Sequence, residues 1–247
     1  MNPKAITFDF WGTLFMENPN SAQDILSARY EVLLDALSEA GTPADEGQVR
    51  EAYRQAQLAF DDAWKAEQVM TVYDRVGHIF KLLGVKSDEG LMALTARKLE
   101  ETSLGFDLIP LPGVKEALPR LAKTHTLGIV CDTGVTPGRL LREHLKRHGL
   151  LDYFTGLSFS DETGSVKPRR EAFMAALDDM GVEPQTALHI GDIPRTDIAG
   201  AFAAGYPWAV QYTGHRYLNG GPEPTAKVAN HLQLVELLSR AEGGSRA

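Results

Sequence analysis

The sequence predicts an α/β protein: a doubly wound parallel sheet with an α-helical domain inserted after its first strand. From residue 107 onwards, short apolar runs rich in β-branched residues alternate with amphipathic helical segments. This alternation is typical of parallel sheets with right-handed crossovers. Residues 17–106 instead carry helical periodicity throughout and follow directly on one strand-like run. The predicted core domain therefore comprises residues 1–16 and 107–247, and residues 17–106 form the inserted helical domain.

The first strand lies within residues 5–14, an apolar stretch that carries one carboxylate, Asp9, and then breaks at Gly12. Four helices are predicted in the insert, because apolar residues recur there at helical spacing. They occupy residues 26–37, 49–64, 72–83 and about 87–104. Glycines end the first and third of these helices, at Gly41 and Gly84.

Helices and strands alternate in the remainder of the chain. Strands are predicted at 127–132, 157–160, 187–192 and 208–212. Helices are predicted at 114–122, 137–148, 168–181 and 198–205, and the tail from Glu242 is predicted to fray. Ligands of such a sheet bind beyond the carboxyl ends of its strands, so the residues at those ends are the candidates for function.

Composition excludes several classes of function. The formal net charge is −8, which argues against a nucleic-acid or anionic-membrane surface. The single cysteine, Cys131, excludes an internal disulfide and a cysteine-based zinc site. We see no signal peptide, and no apolar run approaches the roughly 20 residues that span a bilayer. We therefore expect a cytoplasmic, soluble protein with no nucleic-acid or membrane partner; the oligomeric state stays open.

Three predicted strands end in polar groups. Asp9 follows the first strand, residues 131–133 follow the second, and Gly191-Asp192 follows a later one. A single Gly-Asp pair indicates a simple turn as readily as it indicates a functional site. Three such ends, with Lys167-Pro168 between the last two, are much harder to explain as turns. Because the strands are parallel, we expect these side chains to converge on one edge of the sheet.

These residues resemble the four motifs of the haloacid dehalogenase (HAD) superfamily, in the same order. The matching segments are Asp9-Phe10-Trp11-Gly12-Thr13, the end of the strand at Val130, Lys167-Pro168, and Gly191-Asp192-Ile193-Pro194-Arg195-Thr196-Asp197. The helical insert stands where the family places its helical cap. The resemblance covers essentially the whole chain, and it implies a hydrolase with a Rossmann-like core and an inserted cap.

The resemblance implies a phosphatase site that uses Mg²⁺. Asp9 would be the nucleophile that forms an aspartyl-phosphate. Lys167 would neutralise charge on the nucleophile and the transferring group, and Asp197 would orient Lys167 or a metal-bound water. The implied Mg²⁺ ligands are Asp9, Asp192 and the backbone carbonyl of Trp11. The implied phosphate-binding residues are Cys131, Asp132, Thr133 and Lys167.

Two motif positions depart from the family pattern. The family places an aspartate at the position of Trp11, where it protonates the leaving group and then activates water; tryptophan does neither. General acid–base catalysis contributes about 10²–10⁴ in rate, so alkyl phosphates should be poor substrates and acyl or aryl phosphates better ones. Cys131 replaces a serine or threonine and is a weaker donor, a role that Thr133 is placed to take. Both residues also fit simple packing roles.

Three functions are compatible with these departures. The first is a Mg²⁺-dependent phosphatase of small metabolites that acts through Asp9. The second is a metal-free hydrolase of carbon–halogen or similar bonds, because halide leaves without protonation and the dehalogenase branch also carries an aromatic residue at the position of Trp11. Against it, that branch has Ser-Asn where this chain has Gly191-Asp192. The third is a binding or regulatory protein with impaired catalysis.

Some other polar residues have weaker claims. Arg29, Lys65, Tyr73 and Arg75 lie in the helical insert and are candidates for reading the substrate, although solvated helix faces usually carry such groups. His189 lies in a strand and is predicted to be a core residue. His215 and Arg216 follow the last predicted strand and are predicted to lie in a surface loop, and Asp161 and Glu162 are candidates to support Lys167.

Overall fold

The computed structural model of the chain describes residues 1–86 and 89–243. The strands are β1 (Ala5–Phe8), β2 (Phe15–Glu17), β3 (Leu108–Pro110), β4 (Thr126–Cys131), β5 (Phe154–Phe159), β6 (Ala187–Gly191), β7 (Trp208–Tyr212) and β8 (Ala226–Val228). The helices are α1 (Ala22–Glu39), α2 (Glu46–Lys65), α3 (Val72–Leu82), α4 (Glu89–Glu101), α5 (Val114–Leu121), α6 (Gly138–Arg147), α7 (Ser160–Thr163), α8 (Arg170–Met180), α9 (Ala199–Ala204) and α10 (His231–Gly243).

Six strands form one parallel sheet in the order β5-β4-β1-β6-β7-β8. This confirms the predicted fold class, a Rossmann-like doubly wound sheet. Strand β1 lies in the middle, where Phe8 is in register with Ile129 of β4 and Ile190 of β6. The chain leaves β1 towards β4 and leaves β6 towards β7, so the connections diverge between β1 and β6. Such a switch point is where ligands bind in open α/β sheets.

The central strands form because their side chains are apolar on both faces and helices cover them. Every residue of β1 and β6 is buried. Helices α8 and α9 pack on the sheet through an apolar cluster that includes Val130, Phe173 and Leu177. A methyl group at Gly156 in β5 would lie 2.2 Å from the carbonyl oxygen of Ala176. Glycine therefore allows α8 to pack directly against this strand.

The chain divides into two compact units. The sheet unit comprises Met1–Met16, Leu108–Asp132 and the chain from Leu145 onwards, and the helical unit comprises Glu17–Asp107 and Thr133–His144. The sequence assigns the segment Thr133–His144 to the core domain, whereas in the structure it groups with the helices. That the helical unit serves as the cap of a catalytic core stays a prediction.

The helical unit consists mainly of α1–α4, whose apolar faces share one core that includes Leu33, Val49 and Phe80. Helices α2 and α3 start where the side chain of Asp45 or Thr71 accepts a hydrogen bond from the third backbone amide, with the reciprocal bond also present. The predicted start of the fourth helix at Ser87 lies outside the described residues. In the part of the chain that the structure describes, no helix is both long and apolar enough to cross a membrane.

Several short or terminal elements are not predicted by the sequence. Strands β2 and β3 pair with each other, β8 joins the edge of the main sheet, and α7 is a single turn. Such three- and four-residue elements carry too little periodicity to be recognised. Helix α10 extends to Gly243, so the predicted frayed tail is wrong at Glu242, and its later residues from Gly244 lie outside the described part.

His231 begins α10 and is fully buried. Its ring lies 4.7 Å from that of Tyr212, and its Nδ1 donates to the carbonyl oxygen of Pro112 at 3.2 Å. Its Nε2 has no hydrogen-bond partner among the residues that the structure describes. Burial lowers the pKa of His231 to about 4, because the imidazolium ion is poorly solvated there.

This burial predicts an acid-sensitive stability. Below an unfolded pKa of about 6.5 the unfolded chain takes up the proton first, so stability falls as the pH drops towards 4. We measure the free energy of unfolding in urea at pH 7 and at pH 5. Between these two pH values, we expect the free energy of unfolding of His231→Phe to fall by about 2 kcal/mol less than that of the unmodified chain. The control is His78→Phe in the helical unit. Equal losses in the unmodified chain and His231→Phe would contradict the prediction.

Candidate active site

Asp9 is the first residue after β1 and is 5% exposed. Its backbone amide donates to the carbonyl oxygen of Ile190 at 2.9 Å, which continues the pairing of β1 with β6. Its Oδ1 accepts a hydrogen bond from Nζ of Lys167 at 2.6 Å, and its Oδ2 accepts one from Oγ1 of Thr13 at 2.9 Å. The carboxylate is therefore held in one orientation at the switch point of the sheet.

The loop after Asp9 turns sharply at Gly12. Gly12 has a φ of 74°, in the left-handed region that favours glycine. A methyl group at this position would lie only 2.6 Å from Oδ2 of Asp192. Both constraints explain the glycine and bring the loop against the end of β6. The ring of Trp11 packs edge-on against Phe10, with ring centroids 5.0 Å apart.

Lys167 joins the two predicted catalytic carboxylates, Asp9 and Asp197. It is 3% exposed, and its Nζ donates to Oδ1 of Asp197 at 2.7 Å as well as to Asp9. Asp197 lies in a single π-helical turn, Pro194–Ile198, and its Oδ2 accepts from the backbone amide of Ile193 at 2.8 Å. The structure thus brings Asp9, Lys167 and Asp197 together as the sequence predicts, while their catalytic roles stay predictions.

The pKa values of Asp9, Asp197 and Lys167 are shifted by burial and by one another's charges. Burial raises the pKa of Asp9, with repulsion from Asp197 and Asp192 adding to it, while the charge and hydrogen bond of Lys167 favour the ionised carboxylate. Burial would also raise the pKa of Asp197, but the charge of Lys167 and the hydrogen bond from His189 outweigh burial and lower it. The pKa of Lys167 lies well above its usual value, because the two carboxylates outweigh burial. Together with Asp192, the cluster contains three carboxylates and one buried cation, Lys167.

Asp192, the first residue after β6, completes an acidic cluster. Carboxylate oxygens of Asp9, Asp192 and Asp197 lie within 4.8 Å of one another. Oδ2 of Asp192 accepts from Nε of Arg216 at 2.6 Å. Its Oδ1 is buried and accepts no hydrogen bond from the residues that the structure describes. An orphaned buried carboxylate oxygen beside two other carboxylates fits a hard divalent cation such as Mg²⁺.

The predicted phosphate-binding residues lie at the end of β4. Cys131 ends this strand and is 2% exposed, and burial raises the pKa of its thiol well above the usual value. Oδ1 of Asp132 accepts from the backbone amide of Lys167 at 2.9 Å, so Asp132 fixes the lysine's backbone. Thr133 is buried and begins the segment that groups with the helical unit. Phosphate binding by these residues stays a prediction.

His189 contacts the site through the core. As predicted it is buried, but its Nε2 lies 3.3 Å from Oδ1 of Asp197. Its Nδ1 accepts from Oγ1 of Thr7 at 2.9 Å, and this Oγ1 lies 3.3 Å from the hydroxyl of Tyr206. Burial lowers the pKa of His189 despite its bond to Asp197. A neutral imidazole thus braces Asp197 from within the sheet.

Sequence reasoning misses two contacts of this site. Thr13 is buried against the Asp9 carboxylate, and Arg216 pairs with Asp192 although its side chain is 47% exposed. The sequence signal for Arg216 is its position as a cationic residue shortly after β7, the strand that pairs with β6. His215 beside it lies close to Gly12, where a methyl group would be 3.4 Å from its Cδ2. Asp161 and Glu162 lie in α7, and their support of Lys167 stays a prediction.

The family model of haloacid dehalogenase-like hydrolases matches residues 3–205, a span that contains Asp9, Lys167, Asp192 and Asp197. The chain belongs to this family. The resemblance that the motifs indicate is therefore confirmed, and the chain is a hydrolase. Within the HAD family, Trp11 remains the departure with the clearest chemical consequence.

Individual relatives agree with HAD membership. Pyrimidine 5'-nucleotidase YjjG of Escherichia coli is 33% identical over 53% of this chain, and the chain spans 57% of that relative's length. The glyceraldehyde 3-phosphate phosphatase of Methanopyrus kandleri is 27% identical over 82% of this chain and 81% of its own. Among solved structures, 2-haloacid dehalogenase from Pseudomonas syringae has a TM-score of 0.68 at 27% identity, covering 96% of this chain and 99% of that one.

Proposed function

We propose that this HAD hydrolase is a Mg²⁺-dependent phosphatase of small metabolites that acts through an aspartyl-phosphate on Asp9. One observation carries the proposal. The buried Asp9 carboxylate is fixed by Lys167 at 2.6 Å and lies beside two further buried carboxylates, Asp192 and Asp197. A site of this kind offers a nucleophile, a fixed positive charge and hard oxygen ligands in one place.

The reaction follows from the residues around Asp9. A carboxylate oxygen of Asp9 forms a bond to phosphorus while the phosphorus–oxygen bond of the ester breaks, and the leaving group departs with that electron pair. Lys167 stabilises the negative charge that develops on the transferring group. Thr13 and Asp197 hold Asp9 and Lys167 in place. Water then attacks phosphorus, loses its proton to solvent, and releases inorganic phosphate from Asp9.

The residues present fit Mg²⁺. Asp9, Asp192 and the backbone carbonyl of Trp11 would hold the ion, and Oδ1 of Asp192 has a free lone pair among the described residues. When bound, Mg²⁺ would supply positive charge against the phosphoryl oxygens. Asp197 already accepts hydrogen bonds from Lys167, His189 and the backbone amide of Ile193. It is therefore better suited to positioning Lys167 than to binding the metal.

Trp11 sets the substrate class. The tryptophan has no titratable proton to give to a leaving alkoxide, so the preferred substrates are those whose leaving group departs as an anion. Acyl and aryl phosphates meet this condition, and alkyl phosphates do not. The names of the relatives, a pyrimidine 5'-nucleotidase and a glyceraldehyde 3-phosphate phosphatase, support phosphoryl transfer as the reaction.

The experiment is a screen of acyl, aryl and alkyl phosphates with the purified protein, with and without Mg²⁺. We expect turnover that needs Mg²⁺ and favours acyl and aryl phosphates. A parallel measurement is the formation of a Mg²⁺-dependent beryllofluoride adduct, which mimics the aspartyl-phosphate. If neither turnover nor the adduct is seen, the phosphatase proposal fails and the binding or regulatory function gains support.

A second candidate is hydrolysis of carbon–halogen bonds. Trp11 favours it, because halide leaves without protonation, and a 2-haloacid dehalogenase is among the similar structures. Asp9 would then attack carbon, and water would hydrolyse the resulting ester. The buried Asp192 has no task in this reaction. Halide release from 2-haloacids in the absence of a metal would favour this function over the phosphatase.

The pair between Arg216 and Asp192 predicts how tightly Mg²⁺ binds. The guanidinium and the ion compete for one carboxylate, so Arg216→Gln should bind Mg²⁺ more tightly. Because Arg216 is half-exposed, the pair is worth at most about 1 kcal/mol, or roughly fivefold in affinity. Isothermal titration with Mg²⁺ measures the effect, with the exposed Arg120→Gln as control. Weaker Mg²⁺ binding by Arg216→Gln would contradict the competition.

A further inference from the structure

Two arginines of the helical unit are buried instead of lying on a solvated helix face. Arg29 of α1 is 8% exposed and Arg75 of α3 is 3% exposed. Lys65 and Tyr73, which the sequence places in the same class, lie at the surface. Arginine is almost never buried without a partner that offsets its charge. What surrounds these two guanidinium groups therefore indicates their role.

The direct contacts of Arg75 are a neutral amide and two aromatic rings. Its Nη2 donates to Oε1 of Gln57 at 2.6 Å, and its guanidinium lies 4.9 Å from the ring centroid of Phe60 and 5.9 Å from that of Tyr53. Asp61 accepts a hydrogen bond from Gln57 at 2.9 Å and does not pair with Arg75. Within residues 1–86 and 89–243, Arg75 forms no ion pair.

Arg29 is only weakly neutralised. Its Nη1 donates to the hydroxyl of Tyr53 at 3.3 Å, and its Nη2 is 3.9 Å from Oε1 of Glu17, which is 49% exposed. Its Nε is buried and donates to no acceptor among the residues that the structure describes. A donor left unpaired inside a protein is costly, and it marks a place where a ligand atom or water is missing.

Tyr53 brings the two arginines together. Arg29 binds its hydroxyl and Arg75 lies over its ring, so two positive charges face one small region of the helical unit. Burial lowers the pKa of Arg75 and the charge of Arg29 lowers it further, while Tyr53 and the carboxylate of Asp61 oppose this only in part. Two mutually repelling buried cations with an unpaired N–H group form an arrangement that an anion would stabilise and that packing alone does not explain.

We propose that Arg29 and Arg75, with Tyr53 and Gln57, form a binding site for the anionic oxygens of a small molecule in the helical unit. Planar guanidinium groups bind carboxylate and phosphate oxygens through paired hydrogen bonds. A carboxylate or a phosphate group would each offer the hydrogen-bond acceptor that Nε of Arg29 lacks. The site is argued from the helical unit alone and does not depend on the proposed phosphatase reaction.

The test is equilibrium binding of two probes, inorganic phosphate and malonate, by isothermal titration in buffer of low chloride content and without Mg²⁺. We expect at least one probe to bind the unmodified protein, and Arg29→Met and Arg75→Met to weaken that binding at least about tenfold. The control is Arg54→Met, an exposed arginine of α2 that is paired with Glu51, and it should bind as the unmodified protein does. The preferred probe distinguishes a phosphate-bearing from a carboxylate-bearing ligand.

Thermal unfolding separates this site from a packing role. The anion should raise the melting temperature of the unmodified protein and of Arg54→Met, and should not raise that of Arg75→Met. Arg75→Lys, which keeps the charge and loses the planar donors, covers the case in which Arg75→Met fails to fold. The proposal is overturned if neither probe binds at roughly 10 mM, if all variants respond equally, or if Lys167→Met alone abolishes binding.

Discussion

Asp9→Asn should reduce the Mg²⁺-dependent hydrolysis of an aryl phosphate by at least about 10³-fold, because the amide cannot replace the carboxylate as nucleophile. The variant should also fail to form the beryllofluoride adduct. Its fold should be intact, since asparagine has the size of aspartate, its amide oxygen can still accept from Lys167, and its amide nitrogen can donate to the hydroxyl of Thr13. Steady-state kinetics and thermal unfolding of the same preparation test both statements.

The matched control for Asp9→Asn is Asp152→Asn, which changes an exposed aspartate of the sheet unit. It should retain full activity. Turnover by Asp9→Asn within tenfold of the unmodified protein would exclude Asp9 as nucleophile. The proposed reaction would then fail, even though Lys167 and Asp197 would still form their buried ion pair.

Trp11→Asp should raise the hydrolysis of alkyl phosphates by about 10²-fold or more, because it supplies the missing general acid beside Asp9. Acyl phosphates should gain much less, since their leaving groups depart without a proton. The ratio of the two activities is therefore the measurement, taken as kcat/KM across a pH series. Only the proton-transfer role predicts that the gain depends on the leaving group.

Trp11→Asn is the matched control for Trp11→Asp, because asparagine has nearly the same size and cannot transfer a proton. It should show no preferential gain with alkyl phosphates. Equal gains in both variants would mean that the indole ring only obstructs the substrate, and that the acid is supplied by another residue. Packing of Trp11 on Phe10 would then be its main contribution.

The sequence predicts the fold because strand-forming runs and helical stripes agree with each other over most of the chain. The central strands β1, β4, β6 and β7 carry mostly apolar runs, as parallel strands buried on both faces do. Strands β2, β3 and β8 have three residues each, too few for a periodic pattern. Their existence depends on tertiary pairing, which local sequence does not contain.

The candidate site is predictable where it lies at strand ends and unpredictable where contacts come from loops. Asp9, Asp132 and Asp192 are each the first residue after a strand, so parallel pairing alone brings them to one edge. Arg216 reaches Asp192 from a loop whose course no periodicity fixes. Its contact with Asp192 is therefore not predictable from the sequence.

Burial of charge is the second quantity that the sequence does not reveal. Arg29 and Arg75 stand among polar residues of amphipathic helices, where arginine is ordinarily solvated. Whether such a side chain turns inward depends on its neighbours on other helices, such as Tyr53 on α2. The same reasoning applies to His189, for which core packing is predictable and the bond to Asp197 is not.

The separation along the chain between Asp9 and its partners has a consequence for biosynthesis. Lys167 is 158 residues from Asp9, and β6, which flanks β1 and leads to Asp192, follows still later. A nascent chain emerging from the ribosome therefore exposes the proposed nucleophile well before the groups that complete the site. Contacts this distant form late and slowly, so activity should appear only once the ribosome has passed β6.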